Sequence, residues 1–442
     1  MPAEAYPLVG RPLDALLFQG SRAGPVNAAA FLRAAFRIAA TLPAGDGAAL
    51  NLCTDRLGFA LGFAACLLRG RPSVLASDRS AAGLAALRAR FPGAVELHDG
   101  IGGVTEADRA GPAPANPLLP ARQLAAIVLT SGSTGVPAAH LKAWGALAER
   151  SLAAADRFGW AQEAAPCCIL ATVPPQHMYG FETSVLLPLH AAAASWCGAA
   201  LLPADVRAAM ACLPGPAVLV TTPLHLRALL EAGGRLGSRH AWTISASAPL
   251  DPALAAAGEA QWEVPVLEIF GATEVGSVAS RRVTGDAAWL AYPSIGLAAG
   301  PAGTIVTAPH AEATMLADHL DLMGEGRFTL LGRRADLIKL AGKRTCLTTL
   351  TRTLASLDGV EDAAFLVPDN VEERAASRLI AFAVAPSRRA DDLLAELRGR
   401  MDPAFMPRRV MRVDRLPRNE VGKLPRQALV ALHAQMTEMQ PG

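Results

Sequence analysis

The sequence predicts an α/β protein: a large N-terminal layered α/β domain, residues 1–333, followed by a smaller α+β domain, residues 334–442. Three observations carry this. Short apolar runs bounded by turn residues alternate with segments of helical periodicity, which is the pattern of a largely parallel sheet covered by helices. After Gly324 the texture changes to compact strands and helices around a charged turn at Gly332–Asp336. Finally, 442 residues exceed what one ordinary core holds, so two or three domains are expected.

Val26 to Leu42 has helical periodicity, with Phe31, Leu32, Ala35 and Ile38 on its apolar face. Leu50 to Asp55 reads as a strand and Leu57 to Leu68 as a helix. Ser73 to Ala76, Ala94 to His98 and Leu124 to Leu129 read as strands, with a helix over Ala81 to Arg90. Trp144 to Arg157 is helical, Cys168 to Val173 a strand ended by Pro174-Pro175, and Phe181 to Leu189 a helix. Ala217 to Thr222, Trp242 to Ala246 and Val266 to Phe270 are strands, with a helix over Pro223 to Ala232. Beyond the boundary, Phe328 to Leu331, Val360 to Val367 and Leu379 to Ala385 are strands. Leu350 to Leu357 and Asp391 to Met401 are helices.

Composition excludes several classes. The chain is 52% hydrophobic and 18% charged, so it is globular. A net charge of +2 gives no electrostatic case for nucleic acid or a membrane surface. The longest uncharged run, Thr183 to Ala204, contains Pro188, His190, Ser195 and Trp196; it reads as a buried helix and strand rather than a membrane span. No secretion signal is visible. The seven cysteines show no CxxC spacing and read as reduced thiols of a cytoplasmic protein.

Five stretches carry chemistry. Thr130, Ser131, Gly132, Ser133, Thr134 and Gly135 follow a buried strand with small hydroxyl and glycine residues, so that several N–H groups and hydroxyls can converge on one phosphate. An ordinary turn has the same composition. Thr273 and Glu274 follow the apolar run Val264 to Phe270, where α/β sheets bind ligands, and suit a phosphate oxygen and Mg²⁺. Equally, Thr273 could cap a helix whose first turn holds Glu274. Asp318, with Gly332-Arg333 further on, is the third stretch: a carboxylate suits a ribose diol, although a lone Asp is common in turns. Gly342-Lys343 invites a P-loop reading and fails it, because Leu337 stands where the first glycine belongs and no Ser or Thr follows Lys343. Lys423, in Gly422-Lys423-Leu424-Pro425-Arg426, is placed to follow a carboxylate as it becomes an acyl phosphate; a solvated basic tail is the alternative.

In this order the five stretches resemble the adenylate-forming superfamily of acyl-CoA synthetases, peptide-synthetase adenylation domains and luciferases. The resemblance covers the chain from about Leu50 onward. It implies the adenylate-forming fold, with a small mobile C-terminal lid domain, and ATP and Mg²⁺ as cofactors. It implies an ATP-dependent carboxylic acid ligase: an acyl-AMP forms with release of pyrophosphate, and a thiol then displaces AMP. By the same resemblance, Thr130 to Gly135 would cradle the β- and γ-phosphates, Thr273 the α-phosphate, Glu274 Mg²⁺, and Asp318 and Arg333 the ribose. Lys423 would stabilise the transition state. Residues around His177 and Phe181, Ser245 and Ser247, and Gly271 and Gly276 would line the acyl pocket.

Pro137 to Gly145 and Pro174 to Glu182 are similar to the short adenylation ligases of aryl polyene and xanthomonadin-type pigment clusters. That likeness implies an aromatic acid, such as 4-hydroxybenzoate, or a related acyl acid, loaded onto an acyl carrier protein. Free CoA is the alternative acceptor. Glu182 lies where amino-acid-activating domains hold an amine, so an amino acid is a further alternative; the bland reading is a carboxylate at a helix start. Two departures, Ala335 at the hinge and Ala138 for a common lysine, leave open a non-catalytic nucleotide-binding relative. Lys142 could replace the missing lysine, and His177 is either a gate or an ordinary loop histidine.

Overall fold

The computed structural model describes residues 2–438 apart from 22–23, 46, 76–77, 131–137, 161–165, 199, 301–302, 334–336, 341–342, 368–378, 419–421 and 423. The chain divides into two compact units. One holds Met1–Ala298, Ile305–Thr314 and Gly324–Arg327; the other holds Ala299–Thr304, Met315–Met323 and Phe328–Gly442.

The first unit contains two large sheets, besides a two-stranded pairing of Ala5–Pro7 with Leu118–Pro120. The smaller runs in the order Val95–Leu97, Ala49–Asn51, Ser73–Leu75, Leu124–Thr130, Ala138–Ala143. Its strands are parallel except for the last, which returns antiparallel along Leu124–Thr130. Between Ala49–Asn51 and Ser73–Leu75 runs the helix Arg56–Leu68, apolar all round and buried almost throughout. That is what a helix sandwiched between layers requires. Asp55 caps it, its carboxylate accepting from Gly58 N–H at 2.7 Å. Asn27 does the same for the helix Ala28–Thr41, at 2.9 Å to Ala30 N–H.

In the larger sheet Cys167–Ala171 has Ala193–Trp196 and Ala217–Thr221 as parallel neighbours. The sheet continues in parallel through His240–Ser245 and Val266–Ala272. Then Val266–Ala272 turns back into the antiparallel strand Gly276–Arg281. The short all-apolar runs in the sequence are these doubly covered parallel strands. The uncharged run 183–204 becomes the end of one helix and the buried strand Ala193–Trp196. Among the described residues no helix is long and apolar enough to cross a membrane.

The helix expected over Phe181 to Leu189 spans Met178 to His190 and widens at Glu182–Leu186 into a π-turn. Pro188 has no N–H to give to the preceding turn, and the hydroxyls of Thr183 and Ser184 bond back to Tyr179 O and Gly180 O at 2.6 and 2.5 Å. Both features favour a wider turn at this point.

In the second unit, Asp362–Leu366 pairs antiparallel with Ile380–Val384, which pairs parallel with Val410–Arg412. The helices Leu347–Ala355 and Ala390–Leu397 cover one face through Leu350, Leu354, Leu393 and Leu397. Leu416 and Leu429 of the helix Arg426–Glu438 and the loop before it cluster with Phe382 and Met411 on the other face. The sequence reading had not marked this last helix, nor Pro203–Cys212 and Pro252–Trp262. Both of the latter carry Pro in their first turn, a start signal that could have found them.

Candidate active site

Parallel strands leave their carboxyl ends on one edge of a sheet, where loops converge. On the larger sheet that edge presents Thr172, Thr221, Ser245 and, one residue beyond the strand Val266–Ala272, Thr273. Thr172 Oγ1 is 2.9 Å from Thr221 Oγ1 and 3.1 Å from His225 Nδ1. Tyr179 donates to Ile244 O at 2.9 Å, fixing the backbone next to Ser245. The hydroxyls of Ser245 and Ser247 are buried and have no hydrogen-bond partner among the described residues. Ser247 sits at φ 76°, a left-handed conformation that favours glycine.

Thr273 and Glu274 do not start a helix. They occupy the turn of a β-hairpin, between Val266–Ala272 and Gly276–Arg281, closed by Val275 N–H to Ala272 O at 3.1 Å. The helix-cap alternative is therefore corrected. Its local chemistry is the same, but the chain after Val275 pairs with the preceding strand, Gly271 facing Ser277 and Ala272 facing Gly276. Both side chains are half-buried. Among the described residues no group of three His, Cys, Asp or Glu could hold a metal ion unaided. Glu274 alone suits Mg²⁺, which is bound through one or two carboxylates with phosphates and water completing its shell.

Beneath this hairpin lies a buried polar cluster. Glu182, on the π-turn, accepts from Ser277 N–H at 3.0 Å and from Ser277 Oγ at 2.5 Å. Lys142, from the strand Ala138–Ala143, donates to Glu274 O at 2.6 Å. Arg150, from the helix Trp144–Phe158, donates to Val275 O at 3.1 Å. All three charged side chains are less than a tenth exposed. Burial raises the pKa of Glu182, against the opposing pull of Arg150, Ser277 and Lys142. Burial likewise pushes Lys142 down to about 8, opposed by Glu182, and lowers Arg150. Glu182 offsets part of the charge of the two cations, and their hydrogen bonds to Glu274 O and Val275 O help to keep them inside. A cavity of about 10 Å³ remains between Arg150, Glu182, Ser277, Ile269 and Tyr292. That is room for about one water.

The other expected site residues fall as follows. Gly271 and Gly276 flank the hairpin turn; Gly276 has φ 82°, and a Cβ there would collide with Glu182 Oε1. His177 is half-buried at the start of the Met178–Phe181 helix. Phe181 is fully buried, its ring 4.9 Å from that of Phe63 and 6.1 Å from that of Phe59, within the core of the first unit. Asp318 is buried at the head of the strand Asp318–Gly324, and Arg333 closes the strand Arg327–Arg333. Ser131 to Gly135, Ala335 and Lys423 lie outside the described residues, as does the side chain of Thr130. Lys142 is buried against the hairpin, so it does not stand in for the lysine absent at Ala138.

Sequence reasoning missed Arg150, Ser277 and Tyr292. A signal for Arg150 exists: it falls on the apolar helical face of Leu147, Ala154 and Phe158. Nothing local marks the others, which the tertiary fold brings together.

A family model described as AMP-binding enzyme matches residues 70–320. The chain belongs to the AMP-binding enzyme family. A second model, the AMP-binding enzyme C-terminal domain, matches residues 352–423, so both halves of this AMP-binding enzyme carry a family match. The 4-coumarate–CoA ligase of Rhodobacter capsulatus is 30% identical over 279 residues, 63% of this chain and 67% of that protein. The o-succinylbenzoate CoA synthetase of Bacillus subtilis, in complex with its acyl-adenylate intermediate, has a TM-score of 0.78 at 18% identity, covering 94% of this chain and 95% of that one. ATP-bound MatB from Rhodopseudomonas palustris has a TM-score of 0.75 at 21% identity, covering 96% and 97%. At such identity the structural likeness establishes the fold alone. The superfamily and the fold class expected from the five stretches are borne out. This AMP-binding enzyme is an ATP-dependent, acid-adenylating ligase.

Proposed function

We propose that this AMP-binding enzyme activates an aromatic acid such as 4-hydroxybenzoate, or a related acyl acid, and passes it to the phosphopantetheine thiol of an acyl carrier protein. The setting would be a pigment cluster of the aryl polyene or xanthomonadin type, and the compartment the cytoplasm. All seven cysteines are free thiols, which suits a reducing compartment.

The observation that carries the substrate class is the state of Glu182. Its carboxylate accepts from Ser277 N–H and Oγ and is surrounded by Arg150 and Lys142. A buried carboxylate already bonded to Ser277 and facing the charges of Arg150 and Lys142 is a poor partner for a substrate ammonium, which argues against an amino acid. Ser245 and Ser247 add side chains where glycines would leave room, which argues against a long fatty chain.

In the proposed mechanism the acid's carboxylate oxygen attacks the α-phosphorus of ATP. The bond to pyrophosphate breaks, and acyl-AMP results. Thr130, Ser131, Gly132, Ser133, Thr134 and Gly135 hold the β- and γ-phosphates. Thr273 holds an α-phosphate oxygen, and Asp318 and Arg333 hold the ribose. Glu274 would hold Mg²⁺, which supplies neutralisation of phosphate charge. Lys423 stabilises the negative charge that builds on the transferring group. In the second half-reaction a thiol sulfur attacks the acyl carbonyl and AMP leaves. The functional division is a core of residues 1–333 and a lid of residues 334–442 that brings Lys423 in for the first step, a motion of the kind that often limits turnover.

The test is pyrophosphate release with MgATP over a panel of aryl acids, short and long fatty acids, and amino acids. Release with an aryl acid, reduced about 10²–10³-fold in Lys423→Ala, supports the reading. Release with amino acids alone overturns it. A second reading, transfer to free CoA, is favoured by the name of the 30%-identical relative, 4-coumarate–CoA ligase. Discharging preformed acyl-AMP onto CoA and onto a holo carrier protein separates the two.

A further inference from the structure

The cluster under the Thr273–Glu274 turn has a geometry that a merely neutralised charge set would not need. Both buried cations spend a hydrogen bond on main-chain oxygens of consecutive turn residues: Lys142 on Glu274 O at 2.6 Å and Arg150 on Val275 O at 3.1 Å. Glu182 takes the N–H and hydroxyl of Ser277, just past the turn, at 3.0 and 2.5 Å. The turn is thus gripped through its backbone at Glu274, Val275 and Ser277. The grips come from three separate elements: the strand Ala138–Ala143, the helix Trp144–Phe158 and the π-turn Glu182–Leu186. Gly276 has φ 82° and lies directly against the Glu182 carboxylate, so this approach leaves no space for a side chain. Main-chain contacts of this kind leave the side chains of Thr273 and Glu274 available on the turn they fix.

We infer that Lys142, Arg150 and Glu182 form a buried charge clamp that positions the Thr273–Glu274 turn, and through it the phosphate and Mg²⁺ contacts of that turn. These are positioning residues, since none of them needs to touch the nucleotide. The inference rests on the roles proposed above for Thr273 and Glu274. It also gives Glu182 an occupation other than substrate recognition. A charge-for-shape change at one cation should let the turn relax while the surrounding core stays filled. Losing such an orienting contact typically costs 10–100-fold in activity or metal affinity.

The experiment uses the full chain and compares wild type with Lys142→Met, Lys142→Arg, Arg150→Met and Glu182→Gln. Two quantities are read. The first is acid-dependent ATP–pyrophosphate exchange as a function of Mg²⁺ concentration at saturating ATP. The second is hydrogen–deuterium exchange of the amides at 273–277. Lys142→Met should cut the exchange rate about 10–100-fold, raise several-fold the Mg²⁺ needed for half-maximal rate, and speed amide exchange at the turn. Lys142→Arg should recover most of each. The losses in Lys142→Met and Glu182→Gln should combine to less than their product in the double variant, because both weaken one clamp. A variant that matches wild type in Mg²⁺ requirement and in turn protection overturns the inference. So does a variant that loses activity only in proportion to a general loss of amide protection across the fold. A wild-type enzyme with no exchange on any acid would sink the proposed function instead. The amide measurement would then decide the clamp alone: faster exchange at 273–277 in Lys142→Met supports it, and unchanged exchange overturns it.

Discussion

Gly276 is the residue on which the hairpin and the buried cluster meet. Its φ of 82° is costly for any side chain, and a Cβ would strike Glu182 Oε1. Gly159 shares the backbone but not the contact: it ends the helix Trp144–Phe158 at φ 72° with nothing within 4 Å of an added Cβ. The two glycines therefore separate backbone strain from collision. Gly159→Ala should cost about 1 kcal/mol of stability, through strain alone, and leave activity unaltered. Gly276→Ala should lower the melting temperature further and reduce pyrophosphate release more than about tenfold, because the carboxylate must move and take Ser277 with it. Equal melting temperatures and equal activity in the two variants would refute the role assigned to that contact. Both glycines are plain in the sequence, yet only Gly276 is one that the superfamily resemblance assigns to the acyl pocket. That it faces the carboxylate of Glu182, far earlier in the chain, is a property of the fold.

At the level of elements, local patterning went far. The strands at 73–75, 124–130, 167–171 and 217–221 and the helices at 56–68 and 81–90 fall within a residue or two of their expected places, since an apolar run or a 3.6-residue stripe sets each by itself; the strand at 49–51 stops short of Asp55, which caps the next helix instead. Thr273 and Glu274 show the limit. A threonine and a glutamate after a strand suit both a helix start and a hairpin turn, and only the pairing of Gly271 with Ser277 decides. Lys142 and Arg150 show it again, since their partners are backbone oxygens more than a hundred residues away. Arg418 and Gly422, on the approach to Lys423, show it once more. Arg418 makes two 2.7 Å contacts with Asp362 on the strand Asp362–Leu366 and donates to Gly422 O, immediately before Lys423, at 2.9 Å. Partly exposed ion pairs contribute little to stability, so this one should matter more to placement. Arg418→Met should slow acyl-AMP formation by up to about tenfold while moving the melting temperature only slightly. Single-turnover kinetics beside a thermal melt checks this. A large drop in melting temperature with no change in rate would mean that the pair is structural only.

For the whole molecule, the near balance of 41 basic and 39 acidic residues means that global charge repulsion has little say in stability near neutral pH. Buried titratable groups have more. His190 and His240 are both buried in the first unit, His190 with its ring 5.2 Å from that of Trp144 and His240 within 2.9 Å of Thr243 Oγ1. Burial pushes each down to about 4, against an ordinary value of 6.5. Between pH 6.5 and 4 the unfolded chain therefore binds protons at these two sites that the folded chain refuses. Stability falls as pH drops through that window and is fully retained above it, and each histidine can account for up to about 3 kcal/mol. The melting temperature should accordingly decline from pH 7 to pH 4.5. The His190→Gln, His240→Gln double variant, less stable at pH 7 for want of packing, should show a visibly shallower decline. Carboxylates such as Glu259, held near 2 mainly by its bonds to Arg282, Val266 and Thr284 against the raising effect of burial, give up their contribution only below their ordinary range, toward pH 2. They cannot mimic the effect at pH 5–6. Parallel melting curves for wild type and the double variant across pH 7 to 4.5 would show that the two imidazoles take up protons inside the fold.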